Sequence, residues 1–197
     1  MAHRRVPGIF CVEGTWSSSL TDRASVREML EILEDVDGIE YIHTRVSTVD
    51  GLMDALRKWR QKQYSRYSLG YFAFHGRPGR ILIGRHPVRL KELGATLEDA
   101  CAGKTLYFGS CSVLQVPERQ IAQFRAQTKA ECLVGFNRDI DWLASAALDL
   151  ILLQAMALKR DPEDVERSLR HEYGDLADHL GLKMIYDAPP EAEAQPA

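Results

Sequence analysis

The sequence predicts an α/β domain with a mostly parallel, doubly wound sheet of about five to six strands and helices on both faces. Short segments that are apolar on both faces, as buried parallel strands are, recur along the chain. They alternate with segments whose apolar residues follow helical spacing. Because the two patterns alternate, we expect right-handed crossover connections between parallel strands.

Five apolar runs predict the parallel strands. In chain order they are residues 8–13, 39–46, 69–74, 105–108 and 132–136. Helices are predicted between them from apolar residues three and four positions apart. These helical groups begin at Val26, Leu52, Leu90 and Ile121. One small hairpin, at residues 81–84 and 87–90, is expected to interrupt the alternation after the third strand.

The C-terminal part of the sequence predicts two more helices and an edge strand. Residues 142–158 are apolar nearly all round but contain Asp149, so we expect a helix buried against the sheet rather than a membrane span. Asp161 and the following proline begin another helix, in which Gly174 predicts a break. Residues 182–186 are expected to add a strand at one edge.

Composition is that of an ordinary globular protein. The 197 residues suffice for one domain, at residues 1–186, followed by a tail at 187–197 that we expect to be disordered. A formal net charge of −3 gives no electrostatic basis for binding nucleic acid or an anionic membrane. Four irregularly spaced cysteines argue against a disulfide framework or a zinc site, and the N-terminus lacks the apolar core of a signal peptide. We therefore expect a cytoplasmic protein with no metal and no cofactor.

Two of the predicted strands end in residues that can carry chemistry. His75 and Gly76 follow the strand at 69–74, and Cys111 follows the strand at 105–108. Catalytic groups gather at the carboxyl ends of strands in open α/β sheets, so this histidine and cysteine face one crevice if their strands are neighbours. The histidine can take the thiol proton and later protonate a leaving amine, and the N–H groups of Gly76 and Cys111 are candidate donors to the oxyanion. The sequence therefore predicts a cysteine hydrolase.

Acidic side chains at other strand ends are candidates for supporting roles. Glu13, at the end of the first strand, is either a third catalytic member that orients the imidazole of His75 or a solvated loop carboxylate. Asp139 and Asp141 follow the fifth strand. They are candidates either to bind a basic substrate side chain or to cap the helix that begins at Trp142. The sequence leaves these alternatives open.

The order of the motifs resembles that of the caspase-like cysteine peptidases, which include caspases, metacaspases, legumains, gingipains, separases and the bacterial CHAT proteins. The resemblance rests on a strand that ends in Phe74–Gly76, a hairpin and helix, and a strand that ends in Gly109–Ser112. It covers roughly residues 8–136. It implies a three-layer caspase-like fold and hydrolysis through a thioester acyl-enzyme, with His75 and Cys111 as the dyad.

The two residues before Cys111, Gly109 and Ser110, are predicted to bind substrate. Caspases carry a glutamine two residues before the cysteine that helps to bind a substrate aspartate, and arginine-specific relatives can use an acidic residue there. Because this chain has Gly109 at that position, neither specificity is implied.

The resemblance implies a protein or peptide substrate. Many bacterial relatives act in defence or regulated-death pathways and are switched on by a partner, so we expect a separate activator protein. A catalytically inactive caspase-like interaction module is the main alternative. A glutamine-amidotransferase-like domain is a weaker one, since its cysteine lies in a Gly-x-Cys-x-Gly turn, where this chain has Val113, and its histidine follows the cysteine.

Overall fold

The computed structural model of the chain describes residues 6–159 and 161–187. The strands within these residues are β1 (Ile9–Glu13), β2 (Tyr41–Arg45), β3 (Leu69–Ala73), β4 (His75–Arg77), β5 (Arg80–Ile83), β6 (His86–Arg89), β7 (Thr105–Phe108), β8 (Cys132–Phe136) and β9 (Leu182–Tyr186). The α-helices are α1 (Arg27–Asp37), α2 (Val49–Trp59), α3 (Leu90–Thr96), α4 (Glu118–Thr128), α5 (Trp142–Lys159) and α6 (Pro162–Leu180).

A six-stranded sheet in the order β2-β1-β3-β7-β8-β9 forms the centre of the structure. The first five of these strands run parallel, and β9 pairs antiparallel with β8 at the edge. Every residue of β1, β3 and β8 is buried, which matches the continuous apolar runs of the sequence. The predicted mixed α/β fold with a mostly parallel sheet is therefore confirmed.

Helices cover both faces of this sheet and make two separate cores. Buried side chains of α2, α3 and α4 pack on one face, where the ring of Trp59 stacks on that of Phe10 at 4.7 Å between centroids. Buried side chains of α1, α5 and α6 pack on the other face. The result is three layers, with the carboxyl ends of the parallel strands free to form a site.

The predicted hairpin is larger in the structure than in the sequence interpretation. Strands β4, β5 and β6 form a separate three-stranded antiparallel sheet, because the chain turns after β4 (His75–Arg77) and β5 pairs back onto it. Gly79, at φ +72°, permits the tight turn between these strands. His75 therefore lies at the junction of two sheets, directly after the buried end of β3.

Helix α5 has the length and hydropathy of a membrane-spanning helix, as judged by composition alone. In the structure, however, one side of it is buried against the sheet through Leu148, Leu152 and Leu153. This is the buried helix that the sequence predicts.

The C-terminal elements follow the sequence closely. The break predicted at Gly174 occurs one residue earlier, where Tyr173 leaves helical geometry at φ −134°. Arg125 forms an ion pair with Asp187 at 2.6 Å, so the first residue of the predicted disordered tail is held by the body of the protein. The rest of that tail, residues 188–197, lies outside the described residues.

Candidate active site

The pairing of β3 with β7 brings the predicted nucleophile and base to the same edge of the sheet. The two strands run parallel, and their last paired residues are Phe72 and Phe108. His75 and Cys111 each follow three residues later. Both line one cleft of about 430 Å³, whose walls come from α1 and α5.

The imidazole of His75 is held by the backbone of the loop after β1. Its Nε2–H donates to the carbonyl oxygen of Trp16 at 2.7 Å. The indole of Trp16 also meets the imidazole edge to face, with 5.4 Å between ring centroids. Because Nε2 donates to a carbonyl, Nδ1 is the ring nitrogen left to accept a proton.

Glu13 acts on His75 only at a distance. Its carboxylate is fully buried and accepts hydrogen bonds from the Trp16 indole N–H at 2.5 Å and the Ser25 hydroxyl at 2.8 Å. It also accepts from His43 Nε2 at 2.6 Å and from the backbone N–H of Val26 at 3.0 Å.

Neither sequence interpretation of Glu13 describes this arrangement. The carboxylate is not solvated, and within the described residues it has no hydrogen bond to the imidazole that it was expected to orient. It holds Trp16, whose carbonyl then holds His75. Burial raises the pKa of Glu13, but the four hydrogen bonds outweigh burial, and the net pKa is lowered.

Cys111 lies in a tight turn that is bound to the loop after β8. The next residue, Ser112, has φ +53°, a conformation that is costly for a residue with a Cβ. Its N–H donates to the Arg138 carbonyl at 2.9 Å, and its hydroxyl donates to Asp139 at 2.5 Å. Among the described residues, the N–H of Cys111 has no acceptor, so it is free to meet a substrate oxygen.

Gly76 also packs closely against the turn that carries Cys111. A Cβ at this position would lie 2.2 Å from the carbonyl oxygen of Cys111 and 2.9 Å from the Cβ of Ser110. The missing side chain therefore makes room for the turn that carries Cys111. Gly76 lies opposite Ile81 in the small antiparallel sheet.

Gly109 and Ser110 line the cleft, and both also hold the cysteine turn in place. A Cβ on Gly109 would lie 2.5 Å from the ring of Tyr71, so the backbone passes directly over that ring. The buried hydroxyl of Ser110 accepts from the N–H of Phe74 and donates to the carbonyl of Phe72, both at 3.3 Å. Ser110 thus joins the turn to the end of β3.

Asp139 and Asp141 have partners outside the cleft. Asp139 accepts a hydrogen bond from the hydroxyl of Ser112. Asp141 accepts one from the N–H of Ala144, in the first turn of α5, at 2.9 Å. The second of the two sequence interpretations, helix capping, describes Asp141. The residues that line the cleft in the described chain include neither carboxylate, so substrate binding is not assigned to them.

A buried acidic group at the base of the cleft was missed by the sequence interpretation. Asp149, on α5, is 5% exposed and accepts the hydroxyl of Tyr71 at 2.7 Å and the hydroxyl of Tyr107. Burial raises its pKa to about 6, although both tyrosine hydroxyls act to lower it. The available signal was a lone carboxylate in an otherwise apolar helix. Trp16 was missed as well, because its contribution is a backbone carbonyl.

The fold is similar to that of a cysteine protease. A secreted C11 cysteine protease from Bacteroides thetaiotaomicron, solved with an irreversible peptide inhibitor, superposes with a TM-score of 0.56 at 13% sequence identity. The match covers 86% of this chain but only 59% of that protease. At this identity the likeness concerns the fold alone, which is similar to a caspase-like protease fold.

Two comparisons concern the sequence itself. The curated proteins contain no match to this chain. A model for a family of unknown function (DUF6642) matches residues 7–186. The chain therefore belongs to the DUF6642 family.

Proposed function

We propose that this protein is a cysteine peptidase in which Cys111 is the nucleophile and His75 the general base and acid. The observation that carries the proposal is the position of both side chains in one cleft, at the carboxyl ends of two paired parallel strands. The orientation of His75 by Trp16 supports it, because a base needs one ring nitrogen fixed so that the other can exchange protons.

The first half of the reaction forms an acyl-enzyme. Nδ1 of His75 takes the proton of the Cys111 thiol, and the sulfur attacks the carbonyl carbon of the substrate, whose oxygen becomes an oxyanion. The free N–H of Cys111, together with that of Gly76, donates to this oxygen. When the C–N bond breaks, the leaving amine takes the proton from His75 and a thioester remains on the sulfur.

The second half restores the enzyme. His75 takes a proton from a water molecule, and the resulting hydroxide attacks the thioester carbon. The C–S bond then breaks, the sulfur recovers a proton from His75, and the carboxylic acid product leaves. The whole reaction needs one water molecule and no other group from outside the chain.

Glu13 supports this function over an inactive interaction module. The buried carboxylate of Glu13 and its four hydrogen-bond donors hold Trp16 so that the Trp16 carbonyl faces His75. A buried carboxylate destabilises the folded state unless it is fully hydrogen bonded. Here the carboxylate holds Trp16, whose carbonyl holds the imidazole of His75. A separate activator and a defence role stay predictions from the resemblance, and a cytoplasmic location stays a prediction from the sequence composition.

The proposal is tested by cleavage of a positional peptide library. Wild-type protein should hydrolyse a subset of peptides, and Cys111→Ala should lose this activity completely because no nucleophile remains. His75→Ala should reduce the rate by about a hundredfold or more. Equal hydrolysis by wild type and Cys111→Ala contradicts the proposal.

A further inference from the structure

We infer that the cleft beside Cys111 selects substrates with a large apolar residue, such as Phe, Leu or Met, on the acyl side of the bond that is cleaved. This inference rests on the proposed function and adds a substrate class to it. The carbon under attack must lie within reach of the thiol, so the side chain on that residue is the one placed to enter the cleft.

The two helices that form the cleft present apolar side chains to it. Helix α1 contributes Met29 and Ile32, and α5 contributes Trp142, Leu143 and Leu150. Ile32 is 49% exposed, Trp142 49% and Leu143 72%. Single exposed apolar residues are ordinary, but several around one concave site mark a binding surface. The cleft volume of about 430 Å³ is within the range for ligand pockets.

Apart from Glu28, which is exposed on α1, the polar side chains in the walls are already hydrogen bonded within the protein. The Ser25 hydroxyl donates to Glu13, and the Ser145 hydroxyl donates to the carbonyl of Trp142 at 3.0 Å. Asp149 receives a hydroxyl hydrogen bond on each of its two oxygens. An incoming side chain therefore meets mainly apolar surface, and a polar side chain would lose its water without gaining a partner.

Two carboxylates in the lining could pair with a basic substrate side chain. Glu28 is exposed, and an ion pair in water contributes little. The other is Asp149. It is 5% exposed, and the hydroxyls of Tyr71 and Tyr107 occupy its oxygens. A cation would have to displace at least one of these hydroxyls in a buried environment. An apolar side chain fills the space above Asp149 with no such exchange, and this decides between the two classes.

Peptidyl acyloxymethyl ketones that differ only in the residue next to the reactive group test the inference. The Cys111 thiolate attacks the methylene carbon, a C–S bond forms and the carboxylate leaves, so mass spectrometry of the Cys111 peptide gives the labelling rate. Probes with Phe or Leu at this position should react at least about tenfold faster than probes with Arg or Asp.

A charge placed at the mouth of the cleft should change this preference. Leu143→Asp should slow the Phe probe by about tenfold or more and speed the Arg probe, because it adds a carboxylate beside the bound side chain. Val36→Asp is the matched control: Val36 is 71% exposed on α1 and does not line the cleft. It should leave every rate unchanged. The rate with iodoacetamide, which carries no side chain, should be the same in both variants.

The outcomes separate this inference from the proposed function. Faster labelling by the Arg or Lys probe overturns the apolar class and leaves the peptidase proposal intact. Equal slowing by Leu143→Asp and Val36→Asp also overturns it. If every peptidyl probe labels Cys111 no faster in wild type than in His75→Ala, the inference and the proposed function both fail.

Discussion

At the scale of single residues, the site depends on groups that never meet the substrate. His75 receives its orientation from the carbonyl of Trp16, and Trp16 is held by the buried carboxylate of Glu13. Glu13 in turn is fixed by donors from two further segments, including Ser25 and His43. A change at Glu13 should therefore reach the reaction through the position of an imidazole that it does not contact.

Glu13→Gln should reduce activity and stability together. The amide keeps one acceptor oxygen but turns an NH₂ group toward donors that the carboxylate satisfied, at a cost of about 2 to 4 kcal/mol in unfolding free energy. The rate of peptide hydrolysis should fall at least about tenfold, with a larger change in kcat than in KM, because His75 loses its fixed orientation.

The pH dependence of stability gives a second readout for Glu13. Its pKa is lowered in the folded protein, so its stabilisation is full above the unfolded-state value and is lost as pH falls through the folded value. In urea unfolding at several pH values, Glu13→Gln should not show this loss of unfolding free energy at low pH. Glu34→Gln, an exposed change on α1, is the control and should alter neither stability nor rate. A normal rate in Glu13→Gln contradicts a positioning role.

Gly76→Ala should displace the cysteine turn. The added Cβ would meet the backbone carbonyl of Cys111 at 2.2 Å, a contact that backbone cannot relieve without moving. We expect a loss of about 1 to 3 kcal/mol in unfolding free energy and nearly complete loss of hydrolysis. Gly174→Ala is the matched control, since its Cβ meets nothing within 4 Å, and it should be neutral or stabilising by up to about 1 kcal/mol. Full activity in Gly76→Ala contradicts the close packing described here.

Asp149 should give the opposite pH dependence from Glu13. Burial raises its pKa to about 6, so its ionisation is disfavoured in the folded state. The stability that this group contributes is full below the unfolded-state pKa and is lost as pH rises through about 6.

Asp149→Asn, which cannot titrate, isolates this effect. The unfolding free energy of wild type should fall relative to that of the variant by about 3 kcal/mol between about pH 4 and pH 7, as expected for a shift of about two units. Urea unfolding at several pH values measures the difference. A difference that stays constant with pH contradicts the assignment.

At the scale of elements, the turn that carries Cys111 is joined to a second loop. The turn after β7 carries Cys111, and the loop after β8 carries Asp139. Hydrogen bonds from Ser112 to Asp139 and Arg138 join them, and Ser112 keeps a positive φ that these bonds help to maintain. Cys111 is therefore placed by two loops rather than by its own strand alone.

Asp139→Ala should loosen this turn without unfolding the protein. Ser112 loses the partner that fixes its hydroxyl, and we expect Cys111 alkylation and peptide hydrolysis to slow by about five- to tenfold. The control is Asp161→Ala, which removes the side chain that accepts the N–H of Glu163 and caps α6. It should cost about 1 kcal/mol of stability with no change in Cys111 reactivity. Unchanged kinetics in Asp139→Ala would show that the turn holds its shape without this bond.

At the scale of the whole molecule, the sequence predicted the features that depend on local residue pattern, above all the buried parallel strands. Parallel strands such as β3 and β8 are buried on both faces, so their apolar runs were recognisable. The sequence left the adjacency of β3 and β7 as a condition, and the structure shows these strands paired, with His75 and Cys111 following at one edge.

The rest could not be predicted because its partners come from distant parts of the chain. The Ser25 hydroxyl, for example, donates to Glu13, twelve residues earlier in the chain. The cleft walls depend on how α1 and α5 pack, since Asp149 reaches two tyrosines of β3 and β7 only in the folded protein. Residue patterns carry no signal for such contacts.

The most direct test of the account is the rate at which iodoacetamide alkylates Cys111 from about pH 5 to about pH 9, mapped by mass spectrometry in wild type and in His75→Ala. Cys101 is an internal control, because it is buried and burial raises its pKa to about 11. A working pair predicts rapid labelling of Cys111 in wild type at the acid end of this range, and at least about tenfold slower labelling there in His75→Ala. Identical pH profiles for Cys111 in the two proteins would contradict the pairing of His75 with Cys111.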